Sequence, residues 1–277
     1  MTLRSLFLSL VLVILSFPAL AAEQPVYDRI MKSGTIRCGY FTWPAFLEKD
    51  PNTGKFSGIF YDIMEELGQK LKLKIEWAEE ISLATMFEGF KAGRYDAICG
   101  PVTPSPERVL FSDFTIPVGY MPFYLFSRAD DARFDNNFSA INKKEIRFAS
   151  IDGELGSTIL GNEFPLATAV SLPQMSDGGQ LVETVATGKA DVTTTEAVVA
   201  LTYMENNPDK LKIVPGGPLR TMSFSLALPL GESRLKTVLN FTLQYMLDEG
   251  FVDRIYRKHS KFEGVILRPA KSWAEER

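Results

Sequence analysis

"MFEGFKAGRYDAICG" (Met86–Gly100) can be laid residue by residue on "LVETVATGKADVTTT" (Leu181–Thr195). Met86, Phe87, Glu88, Phe90, Gly93, Arg94 and Asp96 fall on Leu181, Val182, Glu183, Val185, Gly188, Lys189 and Asp191. Each stretch reads as a helix closed by glycine, then a basic residue, an aspartate and a strand. "TIRCGYF" (Thr35–Phe41) has its own echo in "EIRFASI" (Glu145–Ile151), with Ile36-Arg37 on Ile146-Arg147. The same two matches in the same order imply two similar α/β units in one chain.

The segments around them fit that reading. Asp28–Lys32 is a short helix broken by Gly34, and "TIRCGYF" is a β-branched, aromatic strand. "PNTGKFSG" is a turn cluster, and Tyr61–Lys70 is a helix with Ile63, Leu67 and Leu71 on one face. "LKIEW" alternates as a half-exposed strand, Thr85–Lys91 is a helix, and "YDAICG" is a strand. Alternating strands and helices build an open, mostly parallel sheet flanked by helices. The expected domains are lobe 1, residues 22–120 plus 222–277, and lobe 2, residues 121–221. In the tail, "SFSLALPL" is a strand, and Leu235, Val238, Leu239, Thr242 and Met246 form a helix stripe. This tail returns to lobe 1, so the chain crosses between lobes twice, near Tyr120–Phe123 and Arg220–Ser223. Two crossing strands make a hinge that can close around a ligand.

Residues 1–21 read as a secretory signal peptide. Arg4 precedes an apolar run from Leu6 to Phe17, and Ala19-Leu20-Ala21 is a small-x-small cleavage site. The run is about 12 residues, against the ~20 a membrane-crossing helix needs. A soluble periplasmic protein is therefore expected. The net charge of −4 is spread along the chain, with no basic run to hold nucleic acid.

A single histidine, His259, leaves little room for a catalytic triad or a multi-histidine metal site; it reads as a surface residue at a basic helix end. No cofactor is expected. Cys38 and Cys99 are the only cysteines, and each stands directly before a glycine at a strand end. They could pair in an oxidising compartment, or be buried thiols on neighbouring strands.

Taken together, "RIMKSGTIRCGYF", "FSGIFYDIMEELGQKLKLKIEW", "MFEGFKAGRYDAI", "TPSPERVLFSDF", "TGKADVTTTEA" and "LNFTLQYMLDEGFVDRIYRKH" resemble the bacterial extracellular solute-binding proteins of family 3. The resemblance covers essentially the whole chain after residue 22. It implies a two-lobed, type II periplasmic binding protein-like α/β fold with a two-strand hinge. It further implies a monomer that captures a small polar ligand, an amino acid or related carboxylate, for an inner-membrane ABC permease. That role is binding, not catalysis. The alternatives are a cyclohexadienyl dehydratase-like enzyme on the same scaffold and an accessory protein without a ligand.

The resemblance also assigns roles. Arg108 of "SPER" would grip a ligand carboxylate through its planar guanidinium, with Ser105 adding a hydroxyl. Its plainer reading is a surface ion pair with Glu107 or Asp113. Glu196 would hold an ammonium; alternatively it is the first-turn acid of the next helix, capped by Thr194 or Thr195. Trp43 would stack on the ligand, with Tyr40 and Phe41 behind it. In "DGELGST", Glu154 and Leu155 occupy two positions where the family usually has threonines that donate to the carboxylate, so Ser157 is the substitute donor there. Phe60 replaces a common acid, and Leu83 replaces a common aromatic. These departures bear on the ligand rather than the fold.

Overall fold

The computed structural model describes residues 25–259, 262 and 264–270. The signal-peptide reading lies outside them. In chain order the elements of the first half are α1 (Val26–Ser33), β1 (Thr35–Tyr40), β2 (Glu48–Lys49), β3 (Phe56–Ser57), α2 (Ile59–Leu71), β4 (Lys74–Glu80), α3 (Glu88–Lys91), β5 (Ala97–Val102), β6 (Ser112–Phe114) and β7 (Gly119–Arg128). There follow β8 (Arg147–Ile151), α4 (Leu155–Glu163), β9 (Thr168–Leu172), α5 (Gly178–Ala186), β10 (Val192–Glu196), α6 (Ala197–Asn206), β11 (Leu211–Ile213), β12 (Arg220–Pro229), α7 (Ser233–Asp248) and α8 (Phe251–His259).

The strands run β4-β1-β5-β12-β7-β10-β8-β9, with β11 on β7 and β6 on β12. The trios β4-β1-β5 and β10-β8-β9 are parallel. Between them lie two long strands, β7 and β12, antiparallel to each other from Gly119↔Phe224 to Phe123↔Arg220. Each then leaves its partner for one trio: β12 pairs β5, and β7 pairs β10. The fold is therefore two-lobed α/β, and the crossing strands are hydrogen-bonded to one another.

The repeat seen in the sequence has a physical counterpart. The Arg37 N–H donates to Asp96 Oδ2 at 2.7 Å, its Nη2 donates to Oδ1 at 2.8 Å, and the Asp96 N–H returns a bond to Arg37 O. In the other half the Arg147 N–H donates to Asp191 Oδ2 at 2.9 Å, its Nε follows at 3.0 Å, and the Asp191 N–H donates to Arg147 O. The registers match too: Cys38 faces Ala97, and Phe148 faces Val192. A buried carboxylate that accepts both backbone and guanidinium bonds fixes the register of two parallel strands without an uncompensated charge.

Two local expectations change. Of the helix expected over Thr85–Lys91, only Glu88–Lys91 is α-helical. The Tyr95 hydroxyl takes the Met86 carbonyl, which a longer helix would use. Tyr95's ring lies over Gly89 so closely that a Cβ there would sit 2.0 Å from it. Phe60 is fully buried, 5.8 Å from Phe224 and 6.5 Å from Phe46, so an aromatic cluster explains the missing acid.

Cys38 and Cys99 form a disulfide between the adjacent strands β1 and β5. The C-terminal helices pack on the first half: Tyr256 Oη donates to Val118 O, and Lys258 and His259 both contact Asp62. His259 is thus a partner of Asp62 at a helix end. No helix among the described residues is long and apolar enough to cross a membrane.

Candidate functional site

Strand β5 ends at Val102 and points its exit, "VTPSPER", towards the gap between the halves. Pro104 and Pro106 fix φ along that exit. Arg108 opens a single 3-10 turn, Arg108–Leu110. Its guanidinium crosses the gap: Nη1 donates to Thr103 O at 2.9 Å, and Nη2 donates to Gly153 O, on the loop after β8, at 2.8 Å. Neither surface ion pair forms. Asp113 accepts from Lys236 at 2.9 Å, and Glu107 accepts from Ser105 at 2.7 Å.

Glycine is required at 153. Its φ is +83°, and a Cβ would come within 2.5 Å of Ala84 Cα in the other half. The backbone therefore approaches closely enough to offer its carbonyl to Arg108.

A second bond spans the gap. Trp43 Nε1 donates to Glu196 Oε2 at 3.2 Å, and Thr195 Oγ1 donates to the same oxygen at 2.8 Å. Glu196 is itself the residue before α6, and makes no side-chain cap there. This corrects the capping assignment, because Thr194 donates to Tyr124 O and Thr195 to Glu196.

Arg108, Trp43, Glu154 and Glu196 line one cavity with Phe41, Leu83, Met86, Pro101, Val102, Thr103, Phe123 and Leu155. Its free space is about 30 Å³, on the order of one or two water molecules. Any solute of amino-acid size requires the walls to separate. Burial pushes the Glu154 carboxyl up to about 8, with the neighbouring Glu196 charge adding to it and the Gly156 N–H and Arg108 opposing. Burial also raises Glu196. Both carboxylates are thus hard to ionise together in the closed cavity.

Three expected contacts lie outside the cavity lining, each for a visible reason. Tyr40, the last residue of β1, turns away from the cavity, past the point where Ala78 of β4 is left unpaired. Its ring meets Phe56 at 4.9 Å and Trp77 at 6.0 Å, and its hydroxyl accepts from Lys49. Ser105 shapes the turn, donating to Glu107 and accepting the Arg108 N–H at 3.3 Å. Ser157 donates to Glu154 O at 2.7 Å within α4. Met86, Pro101, Val102, Thr103 and Phe123 were not expected in the lining. Thr103 is legible in hindsight, because it directly follows a strand aimed at the cleft.

An α/β pair of lobes joined by two strands, with charged side chains of both meeting in one cavity, defines a cleft-closing binder of small solutes. The chain belongs to the bacterial extracellular solute-binding proteins, family 3, whose sequence profile matches residues 36–262. It is 24% identical over 243 residues to a probable amino-acid ABC transporter-binding protein of Haemophilus influenzae, covering 87% of this chain and 90% of that one. It is 24% identical over 227 residues to the ABC transporter glutamine-binding protein GlnH of Bacillus subtilis, covering 77% and 76%. Among solved structures it resembles the ancestral amino acid-binding protein AncCDT-1, a precursor of cyclohexadienyl dehydratase. The TM-score is 0.75 at 24% identity, covering 84% of this chain and 98% of that one. The solute receptor for L-cysteine of Neisseria gonorrhoeae gives a TM-score of 0.75 at 18% identity, covering 87% and 99%.

Proposed function

We propose that the protein captures a small, nitrogen-bearing solute of amino-acid size in the periplasm and presents it, lobes closed, to an ABC permease. The observation that carries this reading is the pair of bonds across the cleft, Arg108 to Gly153 and Trp43 to Glu196. One end of each belongs to the cavity's charged lining, so occupancy and closure act on the same side chains. In this reading lobe 1 is residues 22–120 with 222–277, lobe 2 is 121–221, and the protein acts as a monomer. Arg108, Glu196 and Trp43 are the working residues. Tyr40, Ser105 and Ser157 support the walls.

A thermal-shift panel of amino acids, amines and small organic acids tests it. A bound solute at 100 times its dissociation constant adds roughly 2.7 kcal/mol, which should raise the midpoint by roughly 5–10 °C in a chain of this size. Arg108→Ala should lower that solute's affinity at least ~100-fold, because it removes the one cation among the described lining residues and its tie to Gly153. Circular dichroism should be unchanged. Calorimetry showing wild-type affinity in Arg108→Ala would sink the site assignment.

One observation favours a second reading. Glu154 retains its proton near neutral pH, inside a cavity that also holds Arg108. A protonated carboxyl beside an anion clamp is the equipment of a general acid. A dehydratase would expel hydroxide from a prephenate-like acid as water, with loss of carbon dioxide. Incubation with prephenate should yield no phenylpyruvate if the protein only binds; turnover abolished by Glu154→Gln would establish the enzyme instead.

A further inference from the structure

We infer that the Trp43 indole is a built-in competitor of the solute, and that Gly178, in the second half of the chain, is the seat that sets how strongly it competes. The inference rests on the solute-binding reading above and adds to it what restrains capture.

Three observations carry it. The first is where the indole goes. Trp43 belongs to the first half, yet its Nε1 donates to Glu196 Oε2 in the second at 3.2 Å, and the residue is only 3% exposed. That N–H occupies the acceptor a nitrogen-bearing solute needs. The second is the seat. Gly178 is the first residue of α5, and a Cβ there would stand 3.2 Å from Trp43 Cζ2, 3.3 Å from its Cε2 and 2.7 Å from Cγ1 of Val199 on α6. A capping box between Asp177 and Gln180 fixes this helix end. Gly178 is not among the residues with positive φ, so close approach, not backbone conformation, calls for glycine.

The third is the mount. Trp43 stands on a tight turn: its N–H donates to Leu47 O at 2.7 Å, and the Phe46 and Leu47 N–H groups donate to Trp43 O at 3.0 Å. Glu48 Oε1 accepts the Ala45 N–H at 2.9 Å, where the alanine is held at φ +67°. Phe46 is fully buried against Phe60 and Phe224. An indole on so rigid a mount leaves its seat when the two halves part. The cavity beside it has about 30 Å³ free, so a seated indole and a bound solute of amino-acid size exclude each other. The apparent affinity is then the intrinsic one multiplied by the fraction of molecules whose seat is empty.

The test begins without a solute. Wild type, Gly178→Ala and Trp43→Phe are unfolded, dialysed and refolded, so that nothing captured in the cell remains. They are compared by small-angle X-ray scattering and acrylamide quenching. The chain has three tryptophans, and Trp43→Phe supplies the blank that isolates the Trp43 signal. The wild type should scatter as compactly as this structure and shield Trp43 from acrylamide. Both variants should expand, Gly178→Ala should expose the indole, and circular dichroism should be unchanged. Loss of one hydrogen bond should raise the ratio of open to shut molecules about fivefold in Trp43→Phe. Each amino acid, amine or organic acid that raises the wild-type midpoint in the thermal-shift panel should bind Gly178→Ala several-fold tighter by calorimetry, because residue 178 lies outside the cavity lining. An expanded wild type with an accessible indole overturns the proposal and leaves solute binding standing. So does a Gly178→Ala variant that stays compact, or one that binds those solutes more weakly. If Gly178→Ala does not fold, Trp43→Phe decides by scattering alone. Silence across the panel removes the solute-binding reading and the competition with it, even where scattering shows the seat filled.

Discussion

Between about pH 4.5 and pH 8 the wild-type protein should lose stability as pH rises, and Glu154→Gln should flatten most of that slope. The folded chain holds the Glu154 carboxyl up at about 8, against an ordinary value of 4.5. The unfolded chain releases that proton near 4.5, so through this window the folded state binds more protons than the unfolded one. Stability then falls with pH, by up to about 1.4 kcal/mol per unit. The contribution is fully present below the unfolded value and gone above the folded one. Glu196, raised by burial, acts with the same sign. Aspartates act oppositely at the acid end. Against burial, which alone would raise it, Arg147 and Arg133 hold Asp191 down to about 2. Its contribution is present above the ordinary aspartate range and is lost as pH falls towards 2. Denaturant melts of both proteins from pH 4.5 to 8.5 measure the effect. Parallel curves for wild type and Glu154→Gln would show that burial of Glu154 has no such consequence.

Removing the disulfide should cost about 4 kcal/mol by the loop-closure estimate. The bond joins residues 61 positions apart, and both cysteines are wholly buried. A Cys38→Ala, Cys99→Ala double variant should melt roughly 10 °C lower than the oxidised protein at this chain length. Reductant should shift the wild type towards the variant and leave the variant unmoved. A wild-type midpoint indifferent to reductant after full unfolding and refolding would contradict the expectation. The bond also bears on the cavity: Cys38 lies three residues before Phe41, and Cys99 two before Pro101, both of them in the lining.

Much of the fold was legible because the same local problem is solved twice. Asp96 and Asp191 must each satisfy a buried carboxylate, and the arginine that does so stands at the same offset in each strand pair. The cleft was legible where chain direction alone decides it, as at Arg108, carried past the end of β5. It was illegible where a strand ends and its last side chains part. Tyr40 packs on Phe56 and Trp77, while Phe41 and Trp43, just past the strand, line the cavity. Hydroxyls misled for a related reason. Ser105 and Ser157 are near enough to backbone or side-chain partners on their own turns to be satisfied there. Glu154 was visible as an intruder in its motif, but only the geometry shows its carboxylate placed where a donor was expected to receive one.

The strands β7 and β12 bridge the two halves as a zippered ribbon, bonded from Gly119 to Phe123 and from Phe224 to Arg220. Two separate tethers would let the halves slide, shear or splay. A ribbon whose members are laced together resists stretching and sideways slip, and yields to twist and bend. If the halves close as proposed, closure follows something close to one mechanical coordinate. Every cross-cleft distance would then read the same angle, and the 2.8 Å contact between Arg108 and Gly153 would mark its closed end.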